Sequence, residues 1–132
     1  MKESIWIEEH ECLSLHEDAL ARYGGSSGLR DPGLLESALN RPKHIFAYES
    51  DDLFTLAAAL AAGIILNHPF LDGNKRTGFL AGALFLEVNG LRFQASEEAV
   101  LERTLALAAR AIDEAEYRAF LEAACQPPDS SA

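Results

Sequence analysis

Leu56-Ala57-Ala58-Ala59-Leu60-Ala61-Ala62-Gly63-Ile64-Ile65-Leu66 leads through Asn67 into His68-Pro69-Phe70-Leu71-Asp72-Gly73-Asn74-Lys75-Arg76-Thr77. The first run is apolar nearly all round a helical cylinder, and a helix apolar on every side is a central one. Its alanines and Gly63 leave room for neighbouring helices to come close. Beyond the polar stretch, Phe79, Leu80, Ala83, Leu84, Leu86 and Val88 cover most of a second helix, which Asn89-Gly90 stops. The polar stretch is therefore a short loop joining two core helices. It carries a His, an Asp, a Gly, an Asn and two cations to the top of the core.

Working outward, the helix before the loop opens at Ser50 or Asp51 and runs to Asn67. Upstream, Leu13, His16, Leu20 and Tyr23 recur at helical spacing, which predicts a helix from Glu8 to Tyr23. Ser4 to Ile7 before it reads as a brief extended arm. Gly24-Gly25-Ser26-Ser27-Gly28 stops the first helix. Asp31 caps the next, with Pro32 at its first position, and Arg41-Pro42 ends it. Lys43 to Ser50 then reads as irregular but packed through Ile45, Phe46 and Tyr48.

Downstream, Ser96 caps a fifth helix with Glu97 and Glu98 in its first turn, and Ala99, Val100, Leu101, Leu105 and Ala108 are expected to face inward. Asp113 and Glu116 form a capping box for a last helix reaching Cys125, with Tyr117, Phe120 and Leu121 on its apolar face. No convincing alternating strand pattern is present. These readings predict one compact all-α domain of about six helices over residues 1–125. Residues 126–132 are expected to be a disordered tail.

At 132 residues the chain can bury a single core. A net charge of -10 argues against a nucleic-acid binder, because no Lys/Arg run is long enough to offset it. Lys75-Arg76 is the strongest cationic spot and suits the phosphates of a small ligand. Cys12 and Cys125 lack metal-site spacing, and with no secretory signal at the N-terminus they read as free thiols in a reducing cytoplasm. The apolar run Leu53 to Leu66 is too short to span a bilayer. His10, His16 and His44 form no recognised metal pattern, and His16 reads as a packing residue.

The loop itself has specific chemistry. The helix that starts after Gly73 points unsatisfied N–H groups and the positive end of its dipole back at the loop, a ready site for an anion. Gly73 lets the backbone approach that anion. Lys75 and Arg76 stand in a first turn that disfavours cations, an arrangement a bound polyphosphate would reverse. Asp72 is placed to hold Mg²⁺, which usually takes one or two carboxylates and completes its shell with phosphate oxygens and water. His68 can take a proton from an attacking hydroxyl. Base, metal carboxylate, anion nest and cations together are the parts for phosphoryl or nucleotidyl transfer from a nucleoside triphosphate. A P-loop is absent.

His68-Pro69-Phe70-Leu71-Asp72-Gly73-Asn74-Lys75-Arg76 resembles the signature loop of the Fic/Doc family, His-Pro-Phe-x-Asp/Glu-Gly-Asn-Gly-Arg. Lys75 in place of the second Gly resembles the Doc branch, the death-on-curing toxins of toxin–antitoxin pairs. Arg22 to Gly25, Arg30 to Leu39 and Tyr48 to Leu53 extend the likeness, which covers about Ile7 to Leu121. The resemblance implies the Fic/Doc fold, His68 as general base on a target Ser or Thr, Asp72 as Mg²⁺ ligand, and phosphates held by Gly73, Asn74, Lys75 and Arg76. In Fic enzymes the small Gly makes room for the α-phosphate, and AMP is transferred. A Lys fills that space, and Doc-like proteins bind ATP reversed and move the γ-phosphoryl group instead. The resemblance further implies the elongation factor Tu as the target, with translation halted.

Two positions depart from the Doc pattern. A well-known Doc toxin has Arg where this chain has Leu66, and Asn where it has Leu80, and both changes remove polar contacts without touching the loop. The inhibitory helix of many Fic proteins, Ser/Thr-x-x-x-Glu-Gly/Asn, is missing. Ser4 to Glu8 comes nearest, and Glu9 breaks it. Control is then expected in trans, and the resemblance implies that it comes from a small Phd-like antitoxin whose disordered C-terminal segment folds on binding, with helix-in-groove docking the expected mode. The alternatives to a protein kinase are a Fic-type AMP-transferase and a weakened binding module tethered to an antitoxin as co-repressor. A nuclease is disfavoured by the charge.

Overall fold

The computed structural model describes residues 3–126. Six helices form: α1 Glu9–Tyr23, α2 Pro32–Tyr48, α3 Leu53–Asn67, α4 Asn74–Val88, α5 Glu97–Ala108 and α6 Glu114–Ala123. The fold is all-α, as the periodicity predicts. Two-residue strands β1 (Arg92–Phe93) and β2 (Cys125–Gln126) pair antiparallel, Arg92 opposite Gln126, and tie the chain ends of α4 and α6 together.

α3 is the axis. Every residue from Leu56 to Ile65 is buried, and α2, α4, α5 and α6 all pack on it. The small side chains make this possible. At Gly78 of α4 a Cβ would lie 2.6 Å from Ile65 Cγ1 and 2.9 Å from the Ala61 carbonyl oxygen, so only glycine lets the two helices meet this closely. α1 packs on α4. Because α3 and α4 are consecutive and locked along their length, the loop 68–73 between them has fixed ends.

α2 differs from the sequence expectation. It does not stop at Arg41-Pro42 but runs through Pro42 to Tyr48. Leu35, Ala38, Leu39, Pro42 and Ile45 are buried on one face against the core. That burial outweighs the hydrogen bond the proline cannot make and the bias it imposes on its predecessor. α3 starts at Leu53, later than Ser50 or Asp51, because Asp52 is the residue whose carboxylate caps it, accepting from Thr55 N at 2.9 Å.

α5 also departs. Leu101 and Leu105 are 55% and 45% exposed, whereas Thr104 and Leu107 are buried. The stripe is rotated because Thr104 has a partner inside: its hydroxyl lies 2.9 Å from the Tyr117 hydroxyl of α6. Burial pushes the Tyr117 phenol up to about 12. α6 ends at Ala123, short of Cys125, since Cys125 and Gln126 join the ladder. Gln126, the first residue of the expected disordered tail, therefore has a backbone partner, and residues 127–132 lie outside the described residues. Both cysteines are free thiols, and no helix among the described residues is long and apolar enough to cross a membrane.

Candidate functional site

The loop is shaped from the inside by two aromatic rings and one amide. Phe70 is buried, with His16 of α1 stacked on it at 3.8 Å between centroids. The Asn74 side chain closes the turn, accepting from Phe70 N and donating to the Phe70 carbonyl, both at 3.0 Å. Asn74 is only 7% exposed, and its amide group is committed to the loop. What it can offer an anion is its backbone N–H. His16 does more than pack: its Nε2 lies 2.8 Å from the Asp72 carbonyl oxygen, and a carbonyl can only accept, so that nitrogen carries the proton.

A second wall comes from residues 24–31. The Leu71 N–H donates to Gly28 O at 3.0 Å, Leu29 bridges Phe70, and the Arg30 and Asp31 N–H groups both donate to Pro69 O, at 2.7 and 2.9 Å. Arg30 also reaches over the end of α3, donating from Nε to His68 O at 2.6 Å and from its terminal nitrogen to Asn67 O at 2.7 Å. The Ser26 N–H donates to Asp72 Oδ2 at 3.2 Å. Gly25 is required here: its φ is +121° and a Cβ would stand 2.9 Å from that same oxygen. The glycine run that reads as a helix stop is thus also half of the site.

The sequence-predicted residues fall into two groups. His68 is the C-cap of α3, left-handed at φ 55°, ψ 60°, with an exposed side chain. Asp72, Gly73, Asn74, Lys75 and Arg76 line a cavity of about 760 Å³ at the start of α4. His68 stands outside its wall, on open surface. The rest of the lining is largely apolar and includes Phe79, Leu80, Phe93, Val100, Leu101 and Leu105. Leu80, one of the two departures from the Doc pattern, is therefore a wall residue. Leu66 is half-buried against the core.

The start of α4 is suited to an anion. Gly73 is its N-cap at φ 79°, and no side chain caps the first turn. Neither Lys75 nor Arg76 has a carboxylate within 4.0 Å among the described residues. Arg76 instead lies 3.7 Å above the ring of Tyr23, a residue 56% exposed rather than packed as its helical spacing predicts. Asp72 is exposed, and each of its oxygens accepts one amide, Gly73 N at 3.1 Å being the second. Each carboxylate oxygen keeps a lone pair. Among the described residues no group of three or more His, Cys, Asp or Glu could hold a metal ion. An ion here would rest on Asp72 and on oxygens of a ligand, the pattern Mg²⁺ uses with nucleotides.

Sequence reasoning missed His16, Ser26 and Arg30 as parts of the site. Each meets the loop across 37 to 56 residues of chain, so no local spacing links them to it.

Comparison with known proteins bears on this arrangement. Residues 6–86 match the family model described as "Fic/DOC family". The chain is 38% identical over 93 residues to "Protein kinase doc" of Escherichia phage P1, an alignment covering 70% of this chain and 74% of that protein. It is 40% identical over 77 residues to "Toxin Doc" of Mycolicibacterium smegmatis, covering 55% of this chain and 58% of that one.

Proposed function

The chain belongs to the Fic/DOC family, and from that premise we propose that it is a Doc-type toxin that phosphorylates a protein hydroxyl with ATP. The observation that carries this reading is the division of the site. An uncapped helix start, with two cations that meet no carboxylate among the described residues, lines a cavity of about 760 Å³, and the exposed His68 is not part of its wall. A protein-borne hydroxyl can reach His68 from solvent without entering the cavity.

In the proposed reaction the α4 N–H groups, Lys75 and Arg76 hold the triphosphate. The target hydroxyl gives its proton to the free nitrogen of neutral His68 as its oxygen bonds to the γ-phosphorus. The bond from that phosphorus to the bridging oxygen breaks, and ADP leaves with the electron pair. Asp72 would hold Mg²⁺, which supplies charge neutralisation on the phosphates when bound. Arg76, 3.7 Å above the Tyr23 ring, and Tyr23 itself both line the cavity, so the cation is held at its wall.

The proposed target is a Ser or Thr of a translation factor such as elongation factor Tu, and the proposed setting is the cytoplasm. The proposed regulator is a small Phd-like antitoxin acting in trans. Leu101 and Leu105, exposed on α5 beside Glu98 and Glu102, suit the apolar face of an incoming basic helix.

Incubation with translation extract and ATP labelled at either the α- or the γ-phosphate tests the reaction. Protein label from γ alone is expected. Label from α alone would replace the kinase with an AMP-transferase, and label from neither would leave no transferase at all.

A further inference from the structure

The conformation of His68 needs an explanation that the loop motif does not supply. Among the described residues only His68 and Arg110 have positive φ without being glycine. This region is disfavoured for any side chain and persists only where the surroundings enforce it. The imidazole makes no hydrogen bond among the described residues. The backbone alone therefore sets the direction of its Cα–Cβ bond, from which the ring's rotamers start.

That backbone is gripped on both sides. The His68 N–H donates to Ile64 O of α3 at 3.2 Å. Its carbonyl, and that of Asn67 before it, accept the two charge-assisted bonds from Arg30. The next carbonyl, Pro69 O, accepts from the Arg30 main chain. Three successive carbonyls thus point at one residue of the 28–31 segment. A carbonyl at position 68 in the ordinary helical or extended conformation would point elsewhere, so the Arg30 bonds select the left-handed state. The guanidinium also lies at the negative end of the α3 dipole, which favours it there.

We propose that Arg30 is a positioning residue for the motif histidine, holding His68 left-handed and so fixing the direction in which its side chain leaves the loop. The proposal rests on the reading of His68 as the base. It is separable from a plain helix cap, because a cap contributes only to stability. Arg30 is exposed, so its replacement leaves the core intact.

The test compares wild type, Arg30→Gln and Arg30→Lys. Phosphoryl transfer gives kcat and KM for ATP, and thermal unfolding gives stability. The His68 Cα and Cβ chemical shifts report its backbone conformation whether or not the protein is an active kinase. The expected result for Arg30→Gln is a loss in kcat of roughly ten- to a hundredfold, the scale of a misplaced catalytic group. KM for ATP should stay within about twofold of wild type, and the His68 shifts should leave their left-handed values. Arg30→Lys, which keeps one charged donor, should recover a large part of kcat. Unchanged His68 shifts in Arg30→Gln would overturn the proposal. So would a kcat loss that merely follows the loss of folded protein. If wild type transfers no phosphate, the kinase reading fails, and the shifts alone decide whether Arg30 sets the conformation.

Discussion

α3 and α4 share one core, yet their first turns are built in opposite ways. α3 begins on Asp52, whose carboxylate accepts from Thr55 N at 2.9 Å, Thr55 Oγ1 at 2.6 Å and Arg118 Nε at 2.8 Å. α2, α5 and α6 likewise begin on Asp31, Ser96 and Asp113, each accepting from an amide of its helix. The first turns of α5 and α6 add two acidic residues apiece. α4 begins on Gly73 with no side-chain cap, and Lys75 and Arg76 stand in a first turn where α1, α5 and α6 carry acids. An oxygen at an N-terminus satisfies the open N–H groups and the dipole from within the chain. Omitting it, and adding cations, leaves both to be satisfied by something from outside. The contrast between these ends is what supports the start of α4 as the proposed anion site.

Lys75→Glu breaks the contrast most sharply, since it gives α4 an acidic first turn like those of α1, α5 and α6. ATP binding by calorimetry is expected to fall about a hundredfold or more, because a charge-assisted contact is lost and a like charge faces the phosphates. The same substitution is expected to raise the unfolding temperature slightly, an acid in the first turn being worth about 0.3–1 kcal/mol. Opposite signs for binding and stability are the signature. Undiminished binding would mean that the open start of α4 does not hold the triphosphate.

Asp52→Ala removes the cap in the helix that has one. It is expected to cost about 2 kcal/mol of stability, the upper end for a cap, since Arg118 loses a partner too. Chemical denaturation measures this, and ATP affinity should stay put. Desolvation alone would raise the Asp52 carboxyl, but hydrogen bonds from Arg118 and Thr55 outweigh it and hold the group below its ordinary value of 3.8. A carboxyl depressed on folding stabilises the native state above its unfolded pKa, and that contribution is lost as pH falls through the folded value. The stability gap between wild type and Asp52→Asn should therefore narrow on acidification below about pH 4. A gap that stays constant would mean that the cap acts without its charge.

The sequence already held the first-turn contrast, because caps and dipoles are local. Asp31, Asp113 and Ser96 are readable within four residues of the helices they start, and so are Gly73, Lys75 and Arg76. The order of the helices and the centrality of α3 were readable for the same reason, through periodicity. Four things were not. Pro42 inside α2 is decided by burial against α3, which no local rule contains. The rotation of α5 depends on Thr104 meeting Tyr117 across a helix pair. The second wall of the site, from Gly25 to Asp31, meets the loop only through folding. His16 reads as a packing residue from its helical spacing, and it is buried, but its ring nitrogen on the Asp72 carbonyl is a tertiary fact.

The smallest effect is expected at Ser96, and it sharpens the comparison from the other side. Ser96→Ala removes the bond from Ala99 N to Ser96 Oγ, now 3.1 Å, but leaves Glu97 and Glu98 against the dipole. The loss should be about 1 kcal/mol or less, at the low end for caps. α5 buries only Thr104 and Leu107 and presents Leu101 and Leu105 to the cavity, so packing holds it at few points. Any fraying should appear first as faster amide exchange along α5, with α3 and α4 unaffected. A stability loss well above 2 kcal/mol would mean that the cap, and not the Thr104–Tyr117 contact, holds α5 in place. The apolar wall of the cavity would then depend on a helix end as directly as its polar wall depends on the start of α4.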